Sequence, residues 1–210
     1  MIIEIRQTHR ELYEDEFIIK CNAGKLGDVK VAGHLGSREA KVTINYGDNV
    51  IVMQPGKMMR LNKGDKPFRP YILALNERQV GGVYVSDSPD GGFFSKYCLY
   101  RLAINGKIYT MFPIGFGEQG AKNPIYMGET QVSEIGIPCV TYDDLRIYTL
   151  YVSENQDILP GILFCCSIFV IAHFHPGSKT IFGERKVVTV DKNKNLLAKY
   201  NPNFIKHIQP

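Results

Sequence analysis

The chain alternates. In EAKVTINY, Ala40, Val42, Ile44 and Tyr46 fall on one side and Glu39, Lys41, Thr43 and Asn45 on the other. That two-residue period belongs to a strand with one buried face. YGDN, Tyr46 to Asn49, breaks the pattern and the apolar run Val50 to Met53 resumes it, which predicts a hairpin. PDGG (Pro89 to Gly92) and NGK (Asn105 to Lys107) are further turns, because Gly accepts the positive φ that tight turns require. KYCLYRLAI and KIYTMFPI flank the second of these as strands. IYMGETQVSEIG, CVTY and RIYTLYV continue the pattern, and KVVTVDKNKNLLAKY reads as a closing hairpin around Asn193. Roughly a dozen strands at this spacing predict an all-β sandwich or barrel, in a single domain.

One stretch departs from the period. From Ile158 to Phe174 the chain is apolar on every side, with Asp157 placed to cap a helix, Pro160 in its first turn, and Pro176-Gly177 to stop it. Such a helix is ~25 Å long at about 1.5 Å per residue, and it has no solvent face to offer. A bilayer accepts apolar helices of about 17–25 residues, so this one sits at the short limit. The alternative environment is the inside of a β barrel, whose interior must be filled. The acidic flank (Glu154, Asp157), the Pro-Gly pair near the start and the many strands before it favour the buried position.

RIYTLYV, the short polar turn SENQD and the apolar helix together resemble the end of the tubby C-terminal-like superfamily. That group includes plant LURP-one-related proteins, phospholipid scramblases and small bacterial relatives. The likeness is one of architecture, and runs from about Ile18 to Phe174. It implies a closed, mainly antiparallel barrel threaded by the helix, with Pro176 to Pro210 forming an added C-terminal hairpin. It also implies a binding or scaffold role, since tubby itself uses basic residues on its barrel for phosphoinositide headgroups.

Charge locates the sites where such binding is to be sought. The net charge is +4 and the pI near 8.7, which permits contact with an anionic surface. In KMMRLNKGDKPFRP, Lys57, Arg60, Lys63, Lys66 and Arg69 recur every third residue with only Asp65 against them. Gly64, Pro67 and Pro70 forbid a continuous helix, so this is a basic loop suited to phosphate groups, with Met58, Met59 and Phe68 able to enter a lipid interface. The C-terminal stretch is basic too: Lys179, Arg185, Lys186, Lys192, Lys194, Lys199 and Lys206 against Glu184 and Asp191. It holds few aromatics beyond Tyr200 and Phe204, and no nucleic-acid module is recognisable.

Catalytic and metal chemistry find little support. GFGEQG (Gly115 to Gly120) has the spacing of a dinucleotide loop, but Ala-Lys-Asn-Pro and a strand follow where a helix is required, so a loop between strands is expected. His173 and His175, with Cys165 and Cys166 nearby, read as two histidines at a helix exit and two core thiols rather than as metal ligands. Asp143 and Asp144 read as a turn. Five cysteines with no CxxC pair, behind an N-terminus unlike a signal peptide, indicate reduced thiols.

The expectation is therefore a non-catalytic binding or scaffold module without cofactor or metal. It would be cytoplasmic, or peripheral at the inner membrane face, and would recognise anionic lipid headgroups or phosphorylated ligands through the basic loop. The alternatives are a scramblase-like protein with the helix in the bilayer, and a protein-interaction module with no small-molecule ligand.

Overall fold

The alternating segments become a ring of strands around the apolar helix. The computed structural model describes residues 1–34, 40–60, 68–87, 97–178 and 181–208. The first strands are β1 (Ile2–Arg10), β2 (Glu14–Cys21), β3 (Gly24–Gly33), β4 (Ala40–Tyr46), β5 (Asn49–Pro55), β6 (Tyr71–Leu75), β7 (Arg78–Asp87) and β8 (Cys98–Ile104). Then come β9 (Lys107–Met111), β10 (Ile114–Gly117), β11 (Ala121–Met127), β12 (Thr130–Ile137), β13 (Val140–Tyr142) and β14 (Ile147–Val152). Strands β1 to β9 each pair antiparallel with the next; β9 pairs with β11, β11 with β12, β12 with β14, and β14 with β1. Twelve strands thus close on themselves, which removes the free edges of an open sheet.

Alternate side chains of the ring point inward. Ile3 and Ile5, Val29 and Val31, Val42 and Ile44, Tyr109 and Met111, Tyr148 and Leu150 are all buried. The hairpin expected between β4 and β5 forms, as does that between β8 and β9. Asn105 and Gly106 take φ of 49° and 77° there, the left-handed pair of a tight two-residue turn. The PDGG segment lies outside the described residues.

Helix α1 (Ile158–Ala172) fills the ring, and twelve of its residues are buried. Its one hydroxyl, on Ser167, donates to the Leu163 carbonyl at 2.7 Å, so the helix brings no unsatisfied side chain into the core. Gly161 lets it pass close to β14: a Cβ there would stand 2.5 Å from Leu150 Cδ2. Two details differ from the sequence reading. The helix ends at Ala172 rather than Phe174, because a helix continuing to Pro176 would drive the proline ring into the Ala172 carbonyl. Asp157 occupies the N-cap position without capping; its Oδ1 accepts the Tyr109 hydroxyl at 3.4 Å instead.

The C-terminal segment adds strands outside the ring, but their pairing is not the one expected around Asn193. β15 (Glu184–Lys186) pairs with β13, and β16 (Thr189–Val190) with β10, so neither pairs with the other. Asn193 is the N-cap of a short helix, α2 (Lys194–Ala198); its Oδ1 accepts the backbone N–H of Asn195 and Leu196. A capped turn satisfies backbone donors that a hairpin turn at Asn193 would leave to solvent. Leu196 then packs on the outer face of the barrel against Leu99, Phe112 and Ile114.

Candidate functional site

Strand direction divides the barrel into two unlike ends. At one, β2–β3, β4–β5, β6–β7, β8–β9 and β11–β12 are joined by tight two-residue turns. At the other emerge the connections after β1, β3, β5, β7, β9 and β12, together with the C-terminus of α1. Long connections carried on a rigid scaffold are where binding residues concentrate, and the basic loop belongs to this end.

The β5–β6 connection begins as an arm. Gly56 N–H donates to the Pro70 carbonyl at 2.8 Å, and Met59 and Phe68 exchange two backbone hydrogen bonds of 2.9 Å each. This ladder carries Lys57, Arg60 and Arg69 past the rim, all three exposed. Neither Lys57 nor Arg60 has an ion-pair partner among the described residues. Lys63 and Lys66 lie outside the described residues. Met58 and Met59 are exposed as the sequence suggested, whereas the Phe68 ring is engaged with Tyr84, centroids 5.0 Å apart.

Exposed apolar side chains collect at the same end. Fourteen large ones are exposed among the described residues; Met1, Val50 and Ile108 sit at the tight-turn end and the other eleven at the loop end. Phe182, 83% exposed, is the extreme case, followed at this end by Tyr142 and Val190; Ile108, at the tight-turn end, is as exposed as Tyr142. Sequence reading singled out only the methionines, because Val187 and Val188 stand in a segment that looks like an ordinary buried strand and Ile181-Phe182 is a lone apolar pair. Several acidic groups of this end are already paired: Glu11 with His9 at 2.8 Å, Glu14 with Lys30 and Glu118 with Lys186 at 2.5 Å.

The remaining motifs resolve as follows. GFGEQG is a loop between strands only in its second half: Gly115 to Gly117 belong to β10, where the sequence predicts a loop, and a turn at Glu118-Gln119 leads to β11, so no helix starts there; a Cβ on Gly120 would lie 2.1 Å from the Ile137 carbonyl oxygen. Cys165 and Cys166 are buried in the core, where burial pushes the Cys166 thiol up to about 12 and that of Cys165 well above its ordinary value. Both are thereby held as neutral thiols, poor nucleophiles at neutral pH. His173 follows the end of α1, and burial, reinforced by Arg146 and His175, lowers its pKa to about 4. Among the described residues no group of three His, Cys, Asp or Glu side chains is placed to hold a metal.

Asp143 and Asp144 form the expected turn, with φ of 51° and 60°, but they do different work. Asp143 is exposed and accepts the Gly183 N–H at 2.8 Å. Asp144 is buried and pairs with Arg10 at 2.8 Å. Nearby, Gln7 donates to Asp15 Oδ1 at 2.6 Å and accepts the Arg146 N–H at 3.0 Å. Burial raises the Asp15 carboxyl to about 6, against the pull of Arg10 and Gln7. No local signal marks this arrangement along the chain: Arg10 and Asp144 are 134 residues apart.

No protein-family model, curated protein or solved structure matches this chain.

Proposed function

We propose that the protein is a non-catalytic binding barrel of the tubby-like kind. In this reading it docks by its loop end on anionic lipid at the cytoplasmic face of a membrane. The supporting observation is that the basic arm and, among the described residues, eleven of the fourteen exposed large apolar side chains share that one end. Lys57, Arg60 and Arg69 supply attraction to anionic headgroups, and Met58 and Met59 supply area for the interface. The scramblase-like alternative draws less support, because α1 is enclosed by strands and would have to leave them to meet lipid acyl chains.

The test is sedimentation with vesicles of phosphatidylcholine alone and with added phosphatidylserine, at two salt concentrations. Binding is expected only with the anionic lipid and weaker at high salt, because screening shortens the reach of exposed charges. Each basic residue near such a surface contributes about 1 kcal/mol. Changing Lys57, Arg60 and Arg69 together to Ala is therefore expected to weaken binding roughly a hundredfold. Salt-independent binding, or an unaltered triple variant, would remove the arm from the account. Absence of binding to every vesicle would favour the protein-interaction reading.

A further inference from the structure

The ring has no free edge, but β15, added outside it, is paired on one side only. Among the described residues its sole partner is β13, with Lys186 opposite Val140, Arg185 opposite Thr141 and Glu184 opposite Tyr142. The Asp143 N–H donates to the Gly183 carbonyl at 2.9 Å, and the Val187 N–H to the Cys139 carbonyl at 2.7 Å. In an antiparallel ladder, residues that exchange backbone bonds alternate with residues that do not. Gly183, Arg185 and Val187 therefore turn their backbone groups to β13, and Glu184 and Lys186 turn theirs outward. All three residues of β15 are exposed. Such an edge is a template for another strand.

The side chains alternate as well. Glu184 and Lys186 share one face with Tyr142, whose hydroxyl hydrogen-bonds Glu184. Arg185 points to the other face, where it joins Arg10 and Arg146 around Asp144, at 3.5, 2.8 and 3.8 Å. Lys186 holds Glu118, itself 80% exposed, at 2.5 Å. An ammonium has three donors, so a second carboxylate can share it.

A second copy of β15 matches this edge in both backbone and charge. Turned antiparallel about a two-fold axis at Arg185, it sets Glu184 opposite the partner's Lys186, and Lys186 opposite the partner's Glu184. Those are the residues whose backbone groups face outward, so each pair exchanges two hydrogen bonds and unites opposite charges. The neighbouring registers that also keep outward groups facing would set Glu184 against Glu184 or Lys186 against Lys186. Charge thus selects one register. At each end of the ladder Phe182 of one copy meets Val187 and Val188 of the other, side chains 83%, 49% and 49% exposed. The two Arg185 side chains meet on the axis, each beside its own Asp144.

We propose that β15 is a self-association edge, through which two copies of this chain form one continuous sheet in the order β13-β15-β15-β13. The ladder is short, which makes the dimer a weak, concentration-dependent one. It uses neither the basic arm nor lipid, so it goes beyond the docking reading and stands or falls separately from it.

Sedimentation velocity in lipid-free buffer, from micromolar to millimolar protein, tests it. The parent is expected to pass from monomer to dimer as concentration rises. E184K and K186E each turn both opposite-charge pairs into like-charge pairs at exposed positions. Each is expected to weaken association by ~10-fold or more, with an unchanged circular dichroism spectrum. Mixed in equal amounts, the two variants regain both opposite-charge pairs, and the mixture is expected to dimerise as the parent does. The double variant E184K/K186E restores the pairs within one chain and is expected to do the same, which keeps the test open should a single variant not fold. The triple arm variant is expected to dimerise like the parent. A parent that stays monomeric throughout, a dimer indifferent to both single reversals, or a mixture and a double variant no stronger than the single variants would each overturn the proposal.

Discussion

Replacing Phe169 with Asp is expected to leave no folded protein. Phe169 is 3% exposed at the centre of the ring, its ring edge-on to Phe17 at 4.7 Å and tilted against Phe174 at 6.0 Å. Deleting such a buried aromatic costs about 3–5 kcal/mol by itself. A carboxylate in its place has no cation within the surrounding core, and burying it unpaired costs several kcal/mol more. The sum reaches or exceeds the stability of an ordinary domain, about 5–15 kcal/mol. Soluble yield and a thermal melt by circular dichroism measure the effect. Phe169→Leu keeps the site apolar and is expected to fold, with a smaller loss. A Phe169→Asp protein that melts cooperatively near the parent temperature would mean that α1 does not fill the barrel.

The second large effect is expected at Asp144. Changing it to Asn removes one charge and nothing else of consequence, since Asn tolerates the left-handed φ of 60° that this turn position adopts. Arg10, Arg146 and Arg185 then face one another without the carboxylate they share. Removing one partner of a largely buried pair costs about 3 kcal/mol or more. Asp143→Asn, the adjacent residue of the same turn, is exposed and keeps an oxygen for the Gly183 N–H; it is expected to change stability by about 0.5 kcal/mol or less. Urea unfolding of the two variants gives the comparison. Equal midpoints would show that the three guanidinium groups do not depend on Asp144.

Much of the fold was legible because it rests on local signals. The alternation of Ala40 to Tyr46, the Asn105-Gly106 turn and the unbroken apolarity of α1 each imply an element from a few neighbouring residues, and those elements formed. The end of α1 and the capping role of Asp157 were misread by local rules, because tertiary partners decided them. Tyr109 took the carboxylate, and Pro176 imposed its limit four residues upstream. The C-terminal segment was misread for a related reason. Val187, Val188 and Val190 have strand propensity, but their segment pairs with β13 and β10, strands that lie well over forty and over seventy residues earlier. Asn193 followed by Leu196, Leu197 and Ala198 is a cap and helix signal that the preceding valines obscured.

The candidate sites show the same division. Lys57, Arg60 and Arg69 were visible as a charge pattern and remain exposed. The guanidinium cluster was invisible, because Arg10, Asp144 and Arg185 meet only when β1, β13 and β15 are brought to one end of the ring. The apolar loop end was invisible too, since exposure of Phe182 or Tyr142 depends on the barrel being filled already by its helix.

Hydrogen exchange on phosphatidylserine vesicles tests the docking claim most directly, because it reports which end of the barrel meets the surface. Protection is expected in peptides covering Arg10 to Tyr13, Lys57 to Arg60 and Ile181 to Val190, all at the loop end. The turns at Asn76-Glu77 and Asn105-Gly106, at the opposite end, are expected to exchange as they do in solution. Protection of those turns with the loop end unchanged would contradict the account, whatever the affinity for the vesicles.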